Sequence, residues 1–408
     1  MVKVLHVLGG LNLGGAESRI MDLYRHIDRE QVQFDFLVHV NASDYARASN
    51  NLDLMENYRT PQYYDDEVKA LGGHIYALPR YRGVNHLAYK SAASQFFKSH
   101  HDYNVVQGHM TSTASIYLAE AHKYSSDKAP YMFTVAHTRN AGTEGGVKGI
   151  AVKTLRKNLP SVCDRLFACS HLAGDETFSG ASYTYIPNTI DTDKSVFNAS
   201  DRSLIREMYD IPDDTIVIGN VARFAEQKNQ AFLIRAFSEM RNHHKAKLLL
   251  CGDGEKREEC EALAHELSVA DDVVFAGNQS EVWAYYSAMD IFAFPSVYEG
   301  MPGVVVEAQT SGLKCLISDT ITTDVMVTDR IMPLSIRDTA DWARVLDKWI
   351  DEFVAARAGN AEGSDGDVMA NDKTRARYVE IMKKAGFDVA AQAAMMTRFY
   401  LDPLNVEL

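Results

Sequence analysis

Pro295–Gly312 reads PSVYEGMPGVVVEAQTSG and carries two glutamates, Glu299 and Glu307, with seven residues between them. A Pro302-Gly303 step opens the apolar run after the first glutamate. Proline suits the first turn of a helix, where its missing N–H would be an orphan anyway. The stretch therefore predicts Glu299 in a loop and Glu307 one to two turns inside a short helix. A helix N-terminus offers free backbone N–H groups and the positive end of a dipole, which favour phosphate. Carboxylates only accept hydrogen bonds and suit vicinal sugar hydroxyls. An anion between two readers of hydroxyls describes a nucleotide-sugar.

Outward from this stretch, Ile291–Phe294 precedes it as a short buried strand, and Lys314–Ile317 follows Gly312, a residue suited to a helix C-cap. Further upstream, the strand Thr215–Asn220 leads into Arg223–Asn229 (RFAEQKN) and then the helix Gln230–Arg241. Arg223 and Lys228 can converge on one diphosphate beyond the strand, Arg as a planar fork and Lys as a point charge. Lys247–Cys251 ends in Gly252-Asp-Gly254, a turn that lets backbone approach closely, and Val273–Ala276 ends in Gly277-Asn278.

The first half has the same grammar. Val2–Leu8 (VKVLHVL) reads as a strand buried on both faces, followed by a glycine-rich turn containing Gly14 and Gly15 and by the helix Ala16–Ile27. Such a turn brings backbone N–H groups to a phosphate, or is simply a tight connection. Neither G-x-G-x-x-G nor a Walker lysine occurs in it, which weighs against dehydrogenase and nucleotidase readings. Further strands are expected at Gln33–His39, His74–Leu78, Val105–Gln107, Tyr131–Val135, Arg165–Cys169 and Ser182–Ile186, with helices such as His86–Lys98 and Ser112–His122 between them. That alternation predicts a doubly wound α/β unit. His137 follows Tyr131–Val135, at the strand end where open parallel sheets bind ligands, and His109 is a weaker candidate after the preceding strand. Asn41–Asp66 reads as an irregular surface excursion and Gly359–Asp372 as a mobile loop.

A chain of 408 residues exceeds one ordinary core and suggests two domains. A net charge of −13 argues against nucleic acid as principal partner. The cysteines (Cys163, Cys169, Cys251, Cys260, Cys315) are odd in number and lack a Cys-x-x-Cys, so neither a disulfide framework nor a zinc site is indicated, and a reducing cytosol fits. No apolar run is long enough to span a bilayer, so any membrane contact is expected to be peripheral. Its candidate is 145–160, where Lys148, Lys153, Arg156 and Lys157 alternate with apolar residues at helical spacing. Such a stretch lies on an anionic membrane or is a solvated helix face.

EGMPG, RFAEQKN and the glycine loop, taken in order, resemble retaining GT-B glycosyltransferases of family 4, most closely the capsular and exopolysaccharide branch. The resemblance covers nearly the whole chain. It implies two Rossmann-like, doubly wound domains facing across a cleft: an acceptor-side domain over 1–190, a nucleotide-sugar domain over 191–385, and a last helix over 386–408 that returns to the first. Ile186-Pro-Asn-Thr-Ile-Asp191 matches the family's connection into the linker. By the same resemblance Gly14 and Gly15 approach the donor diphosphate, His137 stands beside the donor sugar, and Asn278 lies near the nucleobase. Arg139 departs from the branch, which often carries a second histidine there.

The implied chemistry is retaining transfer of a hexose from a nucleotide-sugar, with UDP expected as carrier and GDP-mannose as the alternative. Arg223, Lys228, Gly14, Gly15 and the helix start at Met301, Pro302 and Gly303 would take the departing diphosphate. Glu299 would bind sugar hydroxyls, Glu307 the ribose diol, and His137 would orient the sugar. No covalent nucleophile, cofactor or metal is expected; Asp191-Thr-Asp193 mimics a metal motif but lies at a domain boundary. The expected acceptor is a saccharide or a polyprenyl-diphosphate-linked saccharide in surface polysaccharide synthesis, at the cytoplasmic face of the membrane. A nucleotide-sugar epimerase on the same fold and a non-catalytic nucleotide-sugar-binding scaffold stay open as alternatives.

Overall fold

Two parallel sheets organise the chain. The computed structural model describes residues 1–48, 59–125, 131–139, 146–357 and 372–408. These divide into one unit of Met1–Asn188 with Val389–Leu408, and a second of Thr189–Asp388.

The first unit holds β1 (Val2–Val7), β2 (Val32–Val40), β3 (Ile75–Pro79), β4 (Val105–Gly108), β5 (Phe133–Thr138), β6 (Arg165–Ala168) and β7 (Thr184–Tyr185), in the spatial order β3-β2-β1-β4-β5-β6-β7. All neighbouring pairs are parallel. Side chains alternate across the sheet. Val4, Phe34, Phe36 and Val135 face the helix Gly15–His26 on one side, while Leu5, Val7, Leu37 and Val106 face the helices His86–Ser99 and Ala114–Tyr124 on the other. The last helix, Val389–Leu401, adds Ala393, Met396, Phe399 and Tyr400 to the first of these cores and packs on Gly15–His26.

The second unit holds β8 (Ile216–Val221), β9 (Ala246–Cys251), β10 (Val273–Gly277), β11 (Ile291–Phe294), β12 (Lys314–Ser318) and β13 (Ile331–Leu334), in the order β10-β9-β8-β11-β12-β13, again all parallel. Ile216, Ile218, Leu248, Leu250, Ile291 and Leu316 pack with Leu233, Leu263, Trp342 and Ile350 from the flanking helices. The helix Ala199–Met208 is tied to this sheet by charge. Arg202 and Arg206 donate to Asp290 at 2.8 and 2.7 Å, and Asp290 also accepts from the Val217 amide at 2.8 Å.

Strand order reverses direction between β1 and β4 in the first unit and between β8 and β11 in the second. These switch points leave crevices beyond the carboxyl ends of the strands, where open sheets bind ligands. The glycine loop follows β1, RFAEQKN follows β8, and the loop with Glu299 follows β11.

Several local expectations shift. β5 runs through Thr138 rather than stopping at Val135, because β6 continues to pair with it, His137 opposite Phe167 and Thr138 opposite Ala168. His137 is therefore inside the strand. Within 41–66 the structure has a helix, Ala42–Ala48, and an ordered return from Arg59; the rest of that stretch lies outside the described residues. So does the expected loop Gly359–Asp372, except Asp372, which starts the helix Asp372–Lys384. In the basic stretch, Gly145 lies outside the described residues and a helix covers Gly146–Lys157. Lys153 and Lys157 are exposed there, as is Ile150, but Arg156 is buried, so the basic face is narrower than its sequence suggests.

Candidate functional site

In the second unit, the loops after β8 and β11 are stitched together. Lys228 ends a single 3-10 turn, Glu226–Lys228, and Asn229 takes a left-handed conformation at φ 57° to start the helix Gln230–Ser238. The Lys228 ammonium pairs with Glu299 Oε1, and the Ser296 hydroxyl donates to the same oxygen at 2.7 Å. Gln227 donates to the Tyr298 carbonyl at 2.6 Å, and the Val297 amide to the Gln227 carbonyl at 2.8 Å. Glu299 is thus buried, aimed and charge-paired. Arg223, two residues after Val221 ends β8 and on the same loop as Lys228, is exposed.

The helix after Glu299 runs Gly303–Thr310 with Pro302 at its N-cap, φ −74° and ψ 102°, no capping side chain and no acid in its first turn. Pro302 stands one position earlier than the first-turn placement expected from sequence. Met301 and Pro302 are buried, and Gly303 is half-buried. Glu307 lies inside the helix, buried, with Tyr286 donating to its Oε2 at 2.8 Å.

Beyond β9, the turn Gly252–Gly254 presses against the backbone that carries Arg223. Phe224 N donates to Asp253 O at 2.9 Å, Ala222 N to Cys251 O at 3.0 Å, and Gly252 N to Gly277 O at 2.8 Å. The ends of β10, β9 and β8 form one hydrogen-bonded row. Asn278 is exposed at its far end, after the edge strand β10.

In the first unit, Gly14 caps the helix Gly15–His26 in extended conformation without a capping side chain. Glu17 folds back over that terminus, so that a Cβ on Gly14 would lie 2.5 Å from Glu17 Oε2. The loop is clamped from the return segment of 59–65. Gln62 Oε1 accepts from the Leu11 amide at 2.6 Å, the Tyr64 amide donates to Leu11 O at 2.9 Å, and Tyr64 and Ser18 share a hydroxyl bond of 2.9 Å.

His137 is buried at the end of β5. Its Nδ1 accepts from Gln107 Nε2 at 3.0 Å, and Gln107 Oε1 accepts from Tyr400 at 2.7 Å, which leaves the imidazole proton on Nε2. Burial first, and Arg139 next, push its pKa well below the ordinary histidine value, so it is neutral. His109 is held neutral by the same two causes. It accepts from Arg139 Nε at 3.3 Å and shares a 3.0 Å bond with His6 Nδ1.

Site positions are thus gathered within each unit: Arg223, Lys228, Glu299, Met301–Gly303 and Glu307 around the β8/β11 switch point, and Gly14, Gly15, His109 and His137 around β1, β4 and β5. Sequence reasoning missed Ser296, Gln227 and Tyr286, which fix the glutamates, and Gln62, Gln107 and Tyr400, which fix the loop and the histidine. Ser296 lies only three residues before Glu299, where a hydroxyl beside a turn reads as loop chemistry. The partners of the others lie 21 to 293 residues away in the chain, so no local spacing announces them. The carboxylates of Asp191 and Asp193 are engaged by Lys194 at 3.3 Å and Lys383 at 2.8 Å. Among the described residues no group of three or more His, Cys, Asp or Glu could hold a metal ion, and no helix is long and apolar enough to cross a membrane.

The family described as glycosyl transferases group 1 matches residues 201–356. The putative glycosyltransferase EpsF of Bacillus subtilis is 32% identical over 332 residues, 79% of this chain and 80% of that protein. The chain belongs to the group 1 glycosyltransferases. This transferase also resembles, at 32% identity over 115 residues (28% of this chain, 31% of that protein), a Campylobacter jejuni N-acetylgalactosaminyltransferase whose name specifies a diphospho-undecaprenol-linked acceptor. Its fold is GT-B, two Rossmann-like units. Anabaena HepE, solved with UDP and glucose, superposes with a TM-score of 0.73 at 14% identity, covering 99% of the transferase and 100% of HepE.

Proposed function

We propose that this glycosyltransferase moves a sugar from a UDP-sugar to a saccharide or lipid-linked saccharide with retention of anomeric configuration, and that it needs no metal. The observation that carries the reading is the Lys228–Glu299 pair at the β8/β11 switch point, beside the uncapped, acid-free start of the helix Gly303–Thr310. Breaking the anomeric C–O bond leaves negative charge on the diphosphate and positive charge on the sugar, so stabilising the departing phosphate is the productive use of binding energy. Arg223, Lys228 and the helix terminus take that charge, and backbone N–H groups near Gly14 and Gly15 add to it. Glu299 holds sugar hydroxyls and steadies the cationic carbon, Glu307 holds the ribose diol, His137 donates from Nε2 to orient the sugar, and Asn278 reads the base edge. The acceptor oxygen bonds to the anomeric carbon on the face that the diphosphate leaves, and its proton passes to the departing phosphate oxygen. No enzyme nucleophile is then required for retention.

UDP as carrier is favoured by the likeness to HepE, and a polyprenyl-diphosphate-linked acceptor by the Campylobacter relative. Exposed Ile150, Lys153 and Lys157 are the side chains that would touch an anionic membrane surface. The test is calorimetry and thermal shift with UDP, GDP and their sugar conjugates on the wild type and Glu299→Ala, since specific ligands stabilise the native state. Binding of the UDP family, with the sugar-dependent part lost in the variant and EDTA without effect, supports the proposal. Absence of binding by any nucleotide would turn the reading to a non-catalytic scaffold, and sugar isomerisation without acceptor would turn it to an epimerase.

A further inference from the structure

Arg139 is a half-buried guanidinium at the carboxyl end of β5 whose contacts among the described residues are all neutral. Nε donates to His109 Nδ1 at 3.3 Å, Nη1 donates to Asn188 Oδ1, and Nη2 lies 3.5 Å from His137 Nδ1. No carboxylate among the described residues lies within ion-pair distance of it. Glu17, folded over its own helix terminus, is the carboxylate whose field reaches it. Removing a charge from water without a counter-ion is costly, and buried charges are ordinarily paired.

The surrounding histidines cannot share the positive charge. With Arg139 donating to Nδ1, His109 carries its proton on Nε2 and gives it to His6 Nδ1, so the neighbours act as oriented acceptors that fix the guanidinium. Three contacts leave at least two of the five guanidinium N–H groups for a ligand, enough for one bidentate oxyanion. The place is the switch-point side of the first unit, next to His137.

We propose that Arg139 reads an oxyanion, a carboxylate or a phosphate, carried by the acceptor. The inference rests on the transfer reading above and names the acceptor's chemical class. The donor diphosphate keeps Arg223 and Lys228 as its cations, and the acceptor's charge goes to Arg139.

The experiment measures binding by calorimetry and thermal shift on the full chain for the wild type, Arg139→Gln and Asn188→Asp. The probes are methyl glucuronide, inorganic pyrophosphate, methyl glucoside as the neutral control, and UDP. The expected result is that one or both anions bind the wild type at least tenfold more tightly than methyl glucoside. Arg139→Gln should abolish that preference while UDP affinity stays within twofold. Asn188→Asp supplies an internal counter-ion, so it should raise the melting temperature and weaken the same anion at least tenfold, an outcome that a purely structural Arg139 would not give. It also serves if Arg139→Gln folds poorly. Glucuronide preference assigns the oxyanion to a sugar carboxylate, and pyrophosphate preference to a lipid-type diphosphate. Equal binding of anionic and neutral probes, or an unchanged anion preference in Asn188→Asp, overturns the proposal. A parallel loss of UDP affinity in Arg139→Gln also overturns it, because the oxyanion would then belong to the donor. Failure of the wild type to bind UDP would sink the transfer reading alone, and the anion arms would still report on Arg139.

Discussion

Lys228 and Glu299 stand 71 residues apart in the chain and share one ion pair, which Ser296 completes by donating to the same carboxylate oxygen. Sequence reasoning gives the lysine to phosphate and the glutamate to sugar. In the folded unit each sets the other's position, so the ammonium that would meet the diphosphate is already fixed by the carboxylate that would meet the sugar.

This coupling should be visible in kinetics. Glu299→Gln keeps the shape and removes the charge, and should lower kcat by about 10²–10³, the range for losing one preorganised electrostatic contact. Lys228→Ala leaves the Glu299 carboxylate buried with Ser296 and should cost about 1–3 kcal/mol of stability as well as activity. The double variant should lose less than the product of the single losses, because the residues touch. Strict multiplicativity in a four-point cycle of kcat/KM would show that they act independently.

Asp290 anchors the helix Ala199–Met208 to the second sheet. Burial pushes its carboxyl up, but Arg202, Arg206, the Val217 amide and Arg357 together hold it below the usual carboxylate range. A depressed folded pKa means stability that is present above the unfolded pKa, near 3.9, and lost as pH falls through the lower folded value. Asp290→Asn should therefore cost about 3–5 kcal/mol at neutral pH, since it leaves Arg206 buried without its charge partner. Urea midpoints compared at pH 7 and pH 3 should show the gap between variant and wild type closing in acid. A gap that persists unchanged would mean that the carboxylate's charge does not matter there.

How far the sequence carries is decided by the range of the interaction. Apolar runs such as Val2–Leu8 and Ile291–Phe294 are buried on both faces, so they announce strands locally. The Pro302-Gly303 step likewise places Glu299 before a helix and Glu307 within it. The sequence reading ends that strand at Val135 and puts His137 just beyond it, yet pairing of β5 with β6 carries the strand on to Thr138. The Gln62 contact with Leu11 and the Tyr400 contact with Gln107 span 51 and 293 residues. A polar side chain's partner at that distance leaves no periodic trace in its own neighbourhood.

Acid should destabilise the first unit before its carboxylates titrate. Burial, with Arg139 assisting, lowers His6 to about 3, and burial lowers His39 to about 4. Burial first and Arg139 second also lower His109 and His137 well below the ordinary value. A depressed histidine contributes stability that is full above the unfolded pKa, near 6.5, and is lost as pH falls toward the folded one. Each such histidine removes about 1.4 kcal/mol per pH unit below that point. Urea unfolding followed between pH 7 and pH 5 should show a steep fall in stability, and His39→Gln should make the fall shallower. A flat profile across this window would show that the buried imidazoles take up protons in the folded state as readily as in the unfolded one.

Gly254 tests whether Arg223 is positioned by the turn beneath its backbone. Gly254 has φ +151°, and a Cβ there would lie 2.4 Å from the Phe224 carbonyl oxygen and 3.0 Å from Arg223 Cγ. Gly83 also has positive φ, +77°, but nothing within 4 Å of its added Cβ. Gly83→Ala therefore has only backbone strain to bear and should cost about 1 kcal/mol. Gly254→Ala adds a clash with backbone that cannot rotate away, so the Ala222–Phe224 segment must shift and carry Arg223 with it. The expected result is a stability loss exceeding that of Gly83→Ala by at least about 1–3 kcal/mol, the scale of forced backbone strain, together with a tenfold or greater weakening of UDP binding. Weakened UDP binding with stability equal to Gly83→Ala would still place Arg223 under control of this turn. Undiminished UDP affinity in a destabilised variant would instead show that Arg223 does not meet the diphosphate from that position.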